Sequence, residues 1–72
     1  MVNFAKAGNS YRVISDSSNH FKPGDIVVAL ESDDVPFCCY KRDYHGPMSY
    51  ANPYDNNKIH ALLVEELEEI KW

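Results

Sequence analysis

The tetrapeptide Lys22-Pro23-Gly24-Asp25 constrains this chain more than any other feature. Pro23 presets φ for the second position of a β-turn, and Gly24 accepts the positive φ that a type II turn requires at the third. The chain must reverse here, and Asp25 is placed to accept a hydrogen bond within the turn. The run that follows, Ile26-Val27-Val28-Ala29-Leu30, is short and rich in β-branched residues, and it stops at Glu31-Ser32-Asp33-Asp34. A strand is expected over 25–31, with Ile26, Val28 and Leu30 on one face and Val27 and Ala29 on the other.

Other short runs have the same character. Residues 10–15 alternate, with Tyr11 and Val13 opposed to Arg12 and Ile14, and read as a first strand. Residues 16–20 are turn formers. A third strand is expected over 36–42, opened by Pro36, with Phe37 and Cys39 opposed to Cys38 and Tyr40. Residues 43–57, rich in Gly, Pro, Asn and Asp, form a loop that is long for a hairpin. A fourth strand is expected over 58–63. A single 3₁₀ turn at Val64-Glu65-Glu66-Leu67 then leads to a short closing strand ending at Trp72. Five short strands in so small a chain suggest a closed barrel, which also removes exposed strand edges. The core expected from this phasing is Val13, Ile26, Val28, Leu30, Phe37, Cys39, Ile59, Ala61, Leu67 and Ile70.

Seventy-two residues make one domain, with residues 1–9 loosely ordered ahead of a barrel over 10–72. Such a domain has a thin core and little room for a catalytic cleft, which favours a binding module over an enzyme. With 11 acidic residues against 7 Lys and Arg the net charge is −4, which argues against nucleic acid as a partner. No apolar run reaches the length of a membrane span, and the N-terminus lacks the pattern of a secretory leader, so a cytoplasmic location is expected. Cys38 and Cys39 are adjacent and face opposite ways on a strand, so they read as two reduced thiols.

The order of the pieces resembles an SH3-like barrel over roughly residues 10–71. His20-Phe21-Lys22-Pro23-Gly24-Asp25, running into Ile26-Val27-Val28, is similar to the corner that enters the second SH3 strand. Leu63-Val64-Glu65-Glu66-Leu67-Glu68-Glu69-Ile70 is similar to the 3₁₀ turn and closing strand. Tyr11-Arg12-Val13-Ile14 at the front, with that corner and that tail, resembles small phage-encoded proteins of unassigned role. The proline-binding groove of signalling SH3 domains is not implied. Phe37-Cys38 stands where those domains carry a Trp pair, and Val64-Glu65-Glu66-Leu67 where they carry Pro-x-x-Tyr.

The loop over 43–57 is the most suggestive segment, and it reads either as a lid whose rings fold back over one open end of the small core or as a contact surface. Tyr44, Tyr50 and Tyr54 offer large apolar area with a polar tip, Met48 adapts its shape, and His45 lies among them. Two acidic groups flank the domain, one at Glu31, Asp33 and Asp34 and one at Glu65, Glu66, Glu68 and Glu69. The resulting expectation is a non-enzymatic interaction module that modulates or inhibits a host protein, such as a polymerase, replication or defence component. Tyr44, His45, Met48, Tyr50 and Tyr54 would make contact, and Glu65 and Glu66 would steer a basic partner. The same loop, or an edge strand, can equally pair two copies of the chain. The alternative is a nucleic-acid-binding barrel that uses Tyr40, Lys41, Arg42 and Tyr44. A third class, metal binding or weak catalysis at Cys38, Cys39, His20, His45 and His60, lacks ligand pairs at short spacing, and no cofactor is expected.

Overall fold

The computed structural model describes residues 3–70. It is all-β, with five strands: β1 (Ser10–Val13), β2 (Ile26–Ala29), β3 (Phe37–Tyr40), β4 (His60–Ala61) and β5 (Leu67–Glu69). Two 3₁₀ turns, Lys41–Asp43 and Val64–Glu66, are the only helical pieces among the described residues. The strands form one antiparallel sheet in the order β4-β3-β2-β1-β5. The long loop between β3 and β4 and the 3₁₀ turn before the last strand are as expected. Among the described residues no ladder joins β4 to β5, and the chain itself links these two edges through Leu62–Glu66. The closing strand starts earlier than expected, at Leu67, and the expected tail at 71–72 lies outside the described residues.

The Pro-Gly corner is built as its residues require. Gly24 sits at φ +93°, the left-handed region that a Cβ disfavours. The Asp25 N–H donates to the Lys22 carbonyl at 3.0 Å, and the Lys22 N–H donates to Asp25 Oδ2 at 2.8 Å. The corner is tied to β1 by the Gly24 N–H on the Val13 carbonyl at 2.8 Å.

Strand phase differs from the expectation. The β2 run is apolar throughout, so its own sequence carries no alternation to set which side faces in. Register sets it instead: Val27 pairs with Tyr11 and Tyr40, and Ala29 pairs with Cys38. The main core is therefore Tyr11, Val13, Val27, Ala29, Cys38, Leu62 and Leu67, joined by Ala5 and Phe21. Val28, Leu30 and Cys39 are also buried, on the other face of the sheet. Phe37, expected in the core, is 43% exposed. Ala61 is exposed, and Ile26, Ile59 and Ile70 are half-buried.

Residues 5–9, expected to be loosely ordered, are bonded into the sheet. Ala5 and Asp33 exchange backbone hydrogen bonds at 3.1 Å, and Ala5 is fully buried. The Gly8 N–H donates to the Ala29 carbonyl, and the Ala29 N–H donates to that of Asn9. The Lys6 N–H finds the Tyr11 hydroxyl at 3.0 Å, so the one polar atom of a buried ring is satisfied by the same segment.

The connection from β1 to β2 is held by two buried carboxylates. Asp16 accepts the N–H groups of Ser18, His20 and Phe21, each at 2.9 Å. Burial pushes its pKa up, but these backbone donors outweigh burial and hold it below the usual carboxylate range. Glu66 accepts the Ser17 N–H at 2.8 Å from the other side. So fastened, the loop delivers Phe21 into the core, edge-on to Tyr40 with ring centroids 5.0 Å apart.

Candidate protein-binding surface

The structure divides the expected contact residues of the 43–57 loop into two groups. The first group closes the loop on itself. The Tyr54 hydroxyl accepts the His45 N–H at 3.0 Å and donates to the Gly46 carbonyl. The His45 ring stacks on the Tyr54 ring at 3.9 Å. Burial raises the Tyr54 pKa, with the His45 N–H opposing and the nearby Cys39 adding to the rise. Tyr44 is half-buried, and its hydroxyl comes to 3.5 Å from where a side chain at Gly8 would begin. Lys58 reaches Asp43 across the loop base at 3.9 Å. These side chains hold the neck of the loop together, close to Cys39.

The second group lies outside this clamp. The Asn52 N–H donates to the Ser49 carbonyl at 3.2 Å, making a turn that projects Tyr50. Tyr50 is 107% exposed and Met48 44%. Met48, Ser49 and Tyr50 together line a shallow, largely apolar concavity. An aromatic and a thioether held at the tip of a tied loop are the groups that concentrate binding energy when a partner covers them.

The two acidic steering residues also separate. Glu65 is exposed. Glu66, expected on the rim, is buried, and both its carboxylate oxygens are engaged. One accepts the Leu63 N–H at 3.1 Å and the other accepts that of Ser17. Its backbone N–H donates to the Leu63 carbonyl, and its carbonyl accepts from Ile14. Glu66 is a buried fastener between β1, the 3₁₀ turn and the β1–β2 loop. Glu68 is paired with Arg12.

The residues of the other two classes are largely occupied. The Tyr40 hydroxyl donates to Asp25 Oδ2 at 3.0 Å, one ring edge meets Phe21, and the Arg42 guanidinium lies over the ring face at 4.5 Å. A base would have to displace Arg42 to stack there. Cys38 and Cys39 are free and buried on opposite faces. Burial pushes the Cys38 thiol up to about 12, with Cys39 and Glu31 adding to it, and burial also raises Cys39. Among the described residues no three His, Cys, Asp or Glu side chains converge as metal ligands. His60 stacks flat on His20 at 3.8 Å and meets Phe21 edge-on. No helix of the described residues is long and apolar enough to cross a membrane.

Sequence reasoning missed one surface feature. Val35, Phe37 and Leu63 are large apolar side chains left exposed along the β3–β4 hairpin. The signal is the continuous apolar run Val35-Pro36-Phe37-Cys38-Cys39, in which Phe37, expected in the core, faces outward beside Val35. No family model, curated protein or solved structure matches the chain.

Proposed function

We propose that this protein is a small non-enzymatic interaction module that captures a protein partner through the Met48–Tyr50 tip of its long loop. The observation that carries this reading is the contrast within that loop. Tyr54, His45 and Tyr44 are spent on holding it, while Tyr50 is held fully in solvent at a tied turn. Preorganising the tip lowers the entropic cost of docking it. Glu65 contributes steering towards a basic partner, and Tyr44, Tyr54 and Glu66 act by shaping the surface. The buried, raised thiols and the occupied Tyr40 ring are consistent with binding rather than nucleophilic chemistry or base stacking. The resemblance to small phage-encoded proteins puts the partner among host polymerase, replication or defence components, with occlusion as the mechanism.

The test is a capture from bacterial lysate at moderate salt, with mass spectrometry of what is retained. A specific protein held by the wild type and lost by the still-folded Met48→Ala/Tyr50→Ala variant supports the reading. Equal capture by both removes the tip as the interface, and nucleic acid in the eluate favours the alternative barrel function.

A further inference from the structure

The β3–β4 hairpin continues beyond its formal strands. Phe37 pairs with Ala61 and Cys38 with His60, and the Leu62 N–H donates to the Pro36 carbonyl at 3.1 Å and the Val64 N–H to that of Asp34 at 3.2 Å. This register sets Val35 opposite Leu63. Directly opposed residues share a face, and alternate residues share it along each strand, so Val35, Phe37, Ala61 and Leu63 form one outward strip. The inward partners Pro36, Cys38 and Leu62 are buried, and all four outward residues are exposed. The strip is continuous with buried apolar surface, because the Leu30 N–H donates to the Phe37 carbonyl and Leu30 lies on the same face.

The strip also runs beside a strand edge. β4 is the outer strand of the sheet. Its ladder bonds run through His60 and Leu62, which turns the Ala61 backbone N–H and C=O away from β3. The edge ends at Leu63, whose N–H is taken by the Glu66 carboxylate. Acidic groups surround that end. Asp34 and Glu65 are exposed immediately beside Val35 and Val64, and Asp33 adjoins them. Hydrogen bonding with the Asp33 carboxylate raises the Asp34 pKa, a sign of negative charge crowded at one place.

We propose that this strip and edge form a docking site for an extended apolar protein segment carrying Lys or Arg, which adds along β4 at Ala61 and covers Val35, Phe37 and Leu63. Chain shape follows from the free edge, the apolar content from the strip, and the basic residues from Asp34 and Glu65. A second copy of this chain fits less well. It carries a net charge of −4, so two copies repel each other. The site is carried by other residues than the Met48–Tyr50 tip, so the two stand or fall separately.

Selection of a displayed library of short random peptides against the folded wild-type protein tests this site. Enriched peptides should combine apolar residues with Lys or Arg. They should bind Leu63→Ser and Val35→Ser at least about tenfold more weakly, Asp34→Asn/Glu65→Gln several-fold more weakly, and Met48→Ala/Tyr50→Ala unchanged. Peptide binding should slow amide exchange at Ala61. Because Phe37 packs beside Leu30, Phe37→Ser is replaced by these two milder variants, with circular dichroism confirming the fold. The proposal is overturned if no peptides are enriched, if they lack a basic bias, or if they bind the strip variants as well as the wild type. It is also overturned if concentration-dependent self-association in sedimentation is lost in Leu63→Ser, which would make a second copy the occupant.

Discussion

The connection from β1 to β2 and the connection from β3 to β4 are alike in composition and opposite in construction. Both are rich in Ser, Asn, Asp, Gly and Pro, and both contain aromatic residues. The first is fastened at its middle by Asp16 and Glu66, two carboxylates that together take four backbone N–H groups of that loop. It turns its aromatic residue, Phe21, into the core. The second is fastened at its neck, by the Tyr54 hydroxyl with the His45 ring stacked on it and by the Lys58–Asp43 pair, and turns Tyr50 outward. A buried carboxylate can collect several donors and so fix a whole loop, whereas a single hydroxyl fixes one crossing and leaves the rest outside. That difference separates a structural loop from a surface available to a partner.

The largest expected effect comes from removing the first fastening. Asp16→Ala leaves three backbone N–H groups without their acceptor and should cost about 3 kcal/mol in chemical denaturation. The pH dependence follows from the same group. Its folded pKa lies below the unfolded value of 3.8, so its contribution to stability is complete above that value and is lost as pH falls through the lower folded pKa. Asp16→Asn should therefore flatten the acid limb of a stability–pH profile. An unchanged limb would show that the loop is not held by this charge.

Glu66→Gln keeps the shape but offers one acceptor oxygen where two are used, and about 1–2 kcal/mol should be lost. An effect that small surface changes also produce would return Glu66 to the acidic rim. Tyr54→Phe removes the neck clamp of the second loop. It should cost about 1 kcal/mol or less globally, while amide exchange at His45 speeds up sharply. A loss as large as that of Asp16→Ala would make the two loops equivalent. Smallest of all, Tyr50→Ala should change stability by no more than about 0.5 kcal/mol, because the ring has nothing to lose contact with. A larger change would place that ring against the protein.

Legibility in the sequence followed the same division. Local chemistry was readable. Pro23-Gly24 set the corner, adjacent cysteines had to face opposite ways, and Val64-Glu65-Glu66 read as a 3₁₀ turn ahead of a strand. Features set by distant residues were not readable. Ile26 to Leu30 is apolar at every position, so only pairing with Tyr11 and Cys38 shows that Val27 and Ala29 face inward. Four glutamates crowd the C-terminal segment, and nothing local distinguishes Glu66, which meets Ser17, from Glu65, which meets solvent. The tyrosines of the long loop are equivalent in composition. Only the three-dimensional path shows that Tyr54 closes the neck and Tyr50 does not.

Amide hydrogen exchange of the isolated protein by NMR tests this contrast most directly. The account predicts that Ser17, Ser18, His20 and Phe21 are protected to nearly the level of the sheet, while Met48 and Tyr50 exchange close to the rate of unfolded peptide. Comparable protection in the two loops, or an open 16–21 segment beside a protected tip, would contradict it.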